Sequence, residues 1–200
     1  MKNPAITDHE LHPLIMQRWS PRAFDSKAIE LEKLVKLFEA ARWSASCFND
    51  QPWAFIVATK DDTVNYQKLL DCLIPFNVSW AQAAPLLAIV VAQKNFKHNG
   101  KPNARGEYDS GQATTTLVLQ ATALDLVAHQ MGGFDADKAI ATFDIPETAH
   151  PIAAIAIGYA GETSNLPAEL QERETAPRER QPLSDFVFTG KWGNALPFSN

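Results

Sequence analysis

The chain has few of the residues that form metal centres. Its 200 residues include two cysteines, Cys47 and Cys72, which form no CxxC motif, and five histidines that are dispersed along the sequence. Structural zinc sites and iron–sulfur clusters need grouped Cys and His ligands. We therefore expect no metal site in this protein.

Positive charge is also scarce. The chain has 18 Lys and Arg against 23 Asp and Glu, which gives a formal net charge of −5, and its basic residues are scattered. Nucleic acids and anionic membranes attract clustered positive charge, so we expect neither as a partner. The longest apolar run, Ala83–Ala92, reaches about half of a membrane span, and no apolar signal core opens the chain. These features favour a soluble, cytoplasmic protein.

Glycine is sparse as well. The nine glycines form no GxGxxG motif after a predicted strand, so the usual dinucleotide-binding fingerprint is absent. What is present is the composition of an ordinary globular protein, 46% hydrophobic and 20% charged. The length suits a single domain over residues 1–200.

Hydrophobic periodicity predicts an α+β fold, because strands and helices alternate without a regular βαβ rhythm. The predicted strands cover residues 53–59, 86–92 and 152–159, and the predicted helices cover residues 8–17, 29–43, 61–73, 108–131 and 135–143.

The sequence allows structural predictions for three further segments. The predicted helix 108–131 is apolar on most faces, which is typical of a helix buried in a domain centre or a subunit interface. Residues 95–107 are polar and rich in turn formers, as in an exposed loop or a lid. The last forty residues are rich in proline and predict an arm that lies along another surface.

Four short motifs carry possible chemistry, and each also has a plain structural interpretation. RWSPRAF (residues 18–24) has two arginines and a serine that could hold a phosphate, or could be surface charges. SCFNDQPW (46–53) offers amides and stiff rings to a planar heterocycle, or is an ordinary turn. HQMGGFD (129–135) presents glycine backbone to a flat ligand, or only ends a helix. RERQPL (178–183) is a second basic pair or a solvated charge run.

In this order and at these separations, the motifs resemble those of the nitroreductase family of FMN-dependent oxidoreductases. RWSPRAF is similar to the family's RxSxRxF opening, and SASCFNDQPW is similar to its NxQPW loop. PFNVSW (75–80) resembles the segment before the second strand, MGGFDAD (131–137) the turn beneath the flavin, and RERQPL the basic pair near the C-terminus. The resemblance extends over residues 18 to about 183.

This resemblance implies a central, mainly antiparallel sheet flanked by helices, with a long buried interface helix and an extended C-terminal arm. It also implies a homodimer that binds FMN between its subunits. The cofactor-binding residues that it implies are Arg18, Trp19, Ser20, Arg22, Ser46, Cys47, Asn49, Gln51, Asn77, Met131, Gly132, Gly133, Arg178 and Arg180.

The resemblance gives these residues separate roles. Arg18, Arg178 and Arg180 would hold the phosphate, while Ser20 and Arg22 would reach the pyrimidine edge of the ring. Among the others, Asn77 would bond the polar ring edge, and the two glycines would present backbone N–H groups near N5 and O4. The loop containing residues 46–51 would come from the other protomer.

The implied reaction is a ping-pong hydride transfer from NAD(P)H to FMN, and then to a nitroaromatic, a quinone or a similar acceptor. Because the cofactor carries the chemistry, we expect no catalytic side chain. Two alternatives stay open. One is an FMN enzyme of the same fold that reduces activated alkenes, removes halogens or destroys flavin. The other is a non-catalytic flavin-binding redox sensor that signals through Cys47.

Overall fold

The computed structural model describes residues 3–197. The strands are β1 (Trp53–Thr59), β2 (Leu86–Gln93), β3 (Val127–Met131) and β4 (Ala149–Gly158). The helices are α1 (Pro13–Gln17), α2 (Leu31–Arg42), α3 (Thr63–Asp71), α4 (Pro75–Ala81), α5 (Gly106–Ala123), α6 (Ala136–Phe143) and α7 (Ala168–Thr175).

The four strands form one sheet in the order β1-β2-β4-β3, and every neighbouring pair is antiparallel. In the register, Ile56 pairs with Ile89, and Ile89 pairs with Ala154 on β4. Met131, the last residue of β3, also pairs with Ala154. The predicted α+β class with a central antiparallel sheet is confirmed.

Helices cover both faces of this sheet, and a separate apolar core fills each side. Leu87, Ile89 and Val91 of β2 pack with residues of α3, α4 and α6 on one face. Leu86, Ala88 and Val90 point to the other face, where they pack against α2 and α5. Burial on both faces explains why β2 is a continuous apolar run rather than an alternating pattern.

The predicted helix 108–131 is wrong in its last third. Helix α5 ends at Ala123, Asp125 adopts a left-handed φ of 59°, and the chain then enters β3. Ala128 faces the α2–α5 core, whereas Met131 faces the opposite core, so each face of β3 carries a buried apolar residue beside a polar one. Such a segment has no period that distinguishes a strand from a buried helix. Gly132 and Gly133 therefore follow a strand and do not end a helix.

One face of α5 is buried within the chain. Ala113, Leu117 and Ala121 are fully buried against the sheet and α2, but the opposite face of α5 is open. Tyr108 on that open face is 68% exposed.

Two other helices differ from the sequence prediction. Helix α1 begins only at Pro13, since proline suits the first helical position and disfavours helix in the residue before it. Helix α4, which begins at Pro75, was not predicted because seven residues give little periodic signal. The C-terminal arm, in turn, contains helix α7.

Candidate functional site

The RWSPRAF loop is fixed to the edge of the sheet by the backbone and by His129. Gly161 donates its N–H to the Ala23 carbonyl at 2.9 Å, which ties the loop to the end of β4. His129 Nδ1 lies 3.0 Å from the Pro21 carbonyl oxygen. Because a carbonyl only accepts, Nδ1 carries the proton and donates it.

His129 is a neutral anchor for this loop. Burial lowers its pKa to about 4, and the nearby charge of Arg22 acts in the same direction, against the opposing effect of the Pro21 bond. Its ring packs against Trp80 at 4.6 Å between centroids, and Trp80 stacks on Phe24 at 6.2 Å. Trp80 is only 2% exposed, so it supports the loop from below.

Five arginines line a small cavity beside this loop, and three of them, Arg18, Arg178 and Arg180, lie close enough for their charges to interact. The cavity has a volume of about 210 Å³, and its wall is formed by Asn3, Arg18, Trp19, Ser20, Arg22, Arg173, Glu174, Ala176, Pro177, Arg178 and Arg180. Burial lowers the pKa of Arg18, and the charges of Arg178 and Arg180 lower it further. Within residues 3–197, none of these three arginines forms an ion pair with a carboxylate. The wall of the cavity thus carries five arginines against one acidic residue, Glu174.

The three arginines differ in how many of their donors are already used. Arg178 donates to the carbonyl oxygens of Asn3 at 2.9 Å and Arg18 at 2.8 Å, and more weakly to that of Met16 at 3.3 Å. Among residues 3–197, the Arg18 side chain donates only to the Ser20 hydroxyl, at 3.3 Å. In the described part of the chain, Arg180 donates only to the carbonyl of its neighbour Glu179. Arg18 and Arg180 therefore keep most of their donors free for an anion.

A second polar group lies where β3 ends. Asn77 on α4 donates from Nδ2 to the Gly133 carbonyl at 2.9 Å, and the Ile74 N–H donates to the same oxygen at 3.2 Å. A Cβ on Gly133 would lie 2.7 Å from Asn77 Nδ2, whereas one on Gly132 would meet nothing within 4 Å. The close approach explains the glycine at 133, and the backbone of Gly132 faces open space.

The SCFNDQPW loop has an unusual backbone that buried acids hold in place. Phe48, Asn49 and Gln51 have left-handed φ angles of 56°, 54° and 49°. Asp109 on α5, 3% exposed, accepts the Cys47 N–H at 3.0 Å, and Asp50 accepts the N–H of residue 97 at 2.8 Å. The left-handed region is rare for a bulky residue such as Phe, so this shape is imposed by its surroundings.

This loop and the arginine cavity lie at opposite edges of the sheet. The loop leads into β1 at one edge, whereas the arginine cavity adjoins β3 at the other, and β2 and β4 separate them. Three strand spacings correspond to about 14 Å. Within residues 3–197, no hydrogen bond or ion pair joins residues 46–51 to the arginines.

The chain thus gathers the implied site residues in two places. Those on the β3 side are Arg18, Trp19, Ser20, Arg22, Asn77, Met131, Gly132, Gly133, Arg178 and Arg180. Those on the β1 side are Ser46, Cys47, Asn49 and Gln51.

A larger trough lies on the open face of α5. It has a volume of about 740 Å³ and is lined by Trp43, Ser44, Ala45, Glu107, Tyr108, Gly111, Gln112, Thr115, Thr116 and Gln130. Residues 43–45 immediately precede Ser46, and Gln130 immediately precedes Met131. The trough therefore adjoins both groups of residues.

Two negative findings apply to residues 3–197. No three His, Cys, Asp or Glu side chains there come together as potential metal ligands. None of the helices in that range has the length and apolarity needed to cross a membrane.

The sequence matches the profile of the nitroreductase family over residues 15–78 and 73–159. The chain belongs to this family of oxidoreductases, which confirms the family expected from the motifs. The oxygen-insensitive NAD(P)H nitroreductase of Salmonella typhimurium is 25% identical over 186 residues, which cover 72% of this chain and 86% of that protein. An uncharacterised 15.4 kDa protein of Mycolicibacterium smegmatis is 36% identical over 121 residues, 59% of this chain and 78% of that protein.

Solved structures agree with this assignment. An oxidoreductase containing FMN superposes with a TM-score of 0.90 and 36% identity, and the match covers 97% of this chain and 98% of that one. A nitroreductase family protein from Clostridium difficile 630 has a TM-score of 0.69 and 26% identity, with coverages of 89% and 96%.

Sequence reasoning did not identify the residues that hold the site in shape. Four of these residues form hydrogen bonds to the backbone of distant segments: His129, Asp50, Asp109 and Glu174. The sequence contained one indication of a structural role for Asp109, because this residue lies in the first turn of α5, where an acidic side chain is favoured.

Proposed function

We propose that this protein is an FMN-dependent NAD(P)H oxidoreductase, with the FMN phosphate in the arginine cavity. The observation that carries the proposal is the convergence of Arg18, Arg178 and Arg180, none of which forms an ion pair with a carboxylate within residues 3–197. Clustered positive charge without a partner is costly, and a dianionic phosphate would offset that cost through charge-assisted hydrogen bonds. The FMN content of the solved relative with 36% identity supports the same cofactor.

The residues around the cavity suit the rest of the cofactor. The Nε atom of Arg22 is buried and has no partner within the described chain, so it is available to a bound polar edge. Arg22 would place its charge at the pyrimidine end of the ring, where it would favour the reduced, anionic flavin. Asn77 is held against the Gly133 carbonyl and would orient the same side of the ring.

Bound FMN would supply the hydride chemistry, taking a hydride from NAD(P)H and passing reducing equivalents to a nitroaromatic, a quinone or a similar acceptor. The side chains of this chain would bind the cofactor, orient it and exclude water. None of them needs to act as a nucleophile.

We further propose that the site is completed by a second copy of the chain. Residues 46–51 are held by Asp109 at the β1 edge of the sheet, which is the edge opposite the arginine cavity. The open face of α5 carries the 740 Å³ trough and the exposed aromatics Trp43 and Tyr108, features that suit a subunit interface. A homodimer that uses this face would bring the loop of one copy to the arginines of the other.

Flavin binding and turnover test the proposal together. The purified protein, freed of cofactor, should bind close to one FMN per chain in an absorbance titration. The loaded protein should oxidise NADH or NADPH when menadione or nitrofurazone is added. Protein that binds no added FMN would contradict the cofactor assignment. Protein that binds FMN but is not reduced by either nucleotide would support the non-catalytic sensor instead.

A further inference from the structure

The wall of the arginine cavity contains one acidic residue, Glu174, near the end of α7. Its side chain is buried, with 2% exposure. Within residues 3–197 it forms no ion pair with any of the surrounding arginines. A buried acid in a basic cavity that neutralises none of the arginines must have another partner.

That partner is the backbone of the RWSPRAF loop. Glu174 Oε1 accepts the N–H of Arg22 at 2.8 Å and the N–H of Ala23 at 3.0 Å. Both bonds end on one oxygen atom, and they connect residues about 150 positions apart in sequence, 152 and 151 respectively. The position of this single oxygen therefore fixes where the loop lies relative to α7.

Glu174 lies four residues before Arg178 and six before Arg180. Helix α7 ends at Thr175, and the extended segment that follows carries Arg178 and Arg180. Arg178 returns to the start of the loop and donates to the Arg18 carbonyl at 2.8 Å. The loop is thus held at both ends by the C-terminal segment, by Glu174 at residues 22–23 and by Arg178 at residue 18.

We infer that Glu174 is a positioning residue, whose oxygen holds the two arginine-bearing segments at the spacing that a flavin phosphate requires. This inference rests on the proposed FMN function. Glu174 acts by the position of its acceptor atom and not by its charge, since the negative charge itself opposes a phosphate in the same cavity. Helix α7 lies outside residues 15–159, the range that matches the family profile.

Two substitutions separate acceptor position from charge. Glu174→Gln removes the charge but keeps an oxygen that can accept both N–H groups. Glu174→Asp keeps the charge but shortens the side chain by one methylene, about 1.5 Å, so both bonds cannot be retained without a shift of the loop. Glu172→Gln, at an exposed position on the same helix, is the matched control.

The measurement is the affinity of each variant for FMN and for riboflavin, by quenching of flavin fluorescence in protein freed of cofactor. Riboflavin lacks the phosphate, so the ratio of the affinity for FMN to the affinity for riboflavin isolates the contribution of the phosphate site. We expect Glu174→Asp to lower the ratio about tenfold, which corresponds to one charge-assisted hydrogen bond. Glu174→Gln and the control should keep the ratio within about threefold of the wild type.

The remaining outcomes each overturn a specific statement. An unchanged ratio in Glu174→Asp, or a ratio in Glu174→Gln that falls as far as in Glu174→Asp, would overturn the positioning role. Equal losses of FMN and riboflavin affinity would indicate general destabilisation and would also overturn it. Failure of the wild-type protein to bind FMN would instead reject the proposed function, so the two failures are distinguishable.

Discussion

Acid should destabilise this fold through His129 before it protonates the carboxylates. Burial and the charge of Arg22 lower the pKa of His129 from 6.5 to about 4 in the folded state. In the unfolded chain the pKa returns to about 6.5. Between these two values the unfolded state binds more protons than the folded state, so the free energy of unfolding falls as the pH is lowered through this window.

The size of the effect follows from the shift. Each pH unit inside the window changes the free energy of unfolding by about 1.36 kcal/mol, so lowering the pH from 6.5 to 5 should remove about 2 kcal/mol. Lowered carboxyl pKa values act in the same direction, but only at lower pH. Glu30 and Glu39, for example, have pKa values of about 2 in the fold and 4.5 as free groups. They contribute little above pH 5.

The assay is urea unfolding at pH 7 and pH 5, at one protein concentration and without flavin, for the wild type and for His129→Asn. Asparagine does not titrate and can still donate to the Pro21 carbonyl. The wild type should lose about 2 kcal/mol more than this variant between the two pH values. His9→Asn, at an exposed position, should behave as the wild type. Equal losses in the wild type and His129→Asn would refute the reasoning.

Two further comparisons test the geometry of the site. Gly133→Ala should lower the free energy of unfolding by about 1–3 kcal/mol in urea unfolding, because its Cβ would lie 2.7 Å from Asn77 Nδ2, while Gly132→Ala should be tolerated. Equal losses at the two positions would contradict this. Arg180→Gln should weaken FMN binding about tenfold with no change in riboflavin affinity or melting temperature, whereas Arg178→Gln should also lower the melting temperature, since its guanidinium bonds three carbonyls. Identical melting temperatures in the two variants would refute the distinction.

Local patterns in the sequence were sufficient to predict most of the strands of the sheet. Strand β1 has the predicted bounds, residues 53–59, because Pro52 and the polar residues after Thr59 delimit an apolar, β-branched run. Strand β2 extends the predicted range by one residue. The error at β3 has a different origin, since which strand pairs with β4 is decided by tertiary contacts and not by local period.

The candidate site also has parts that local sequence patterns predict and parts that only tertiary contacts determine. The arginines of the RWSPRAF and RERQPL motifs line one cavity, and their binding of a phosphate stays a prediction. The groups that fix their positions could not be predicted, because Glu174 and His129 bond to backbone atoms more than 100 residues away. Any acceptor or donor of the right reach would serve in such a bond, so no residue pattern marks it.

The order of the strands gives the strongest physical reason to expect two subunits in one site. Left-handed angles at Phe48, Asn49 and Gln51 cost about 1–3 kcal/mol for each residue that disfavours them. Asp109 accepts the Cys47 N–H at 3.0 Å and so supports this shape from within the chain. The loop leads into β1 at one edge of the sheet, whereas the arginine cavity lies beside β3 at the other edge. This separation is the physical basis of the proposed homodimer, in which the loop would serve the site of a second copy that docks along the open face of α5.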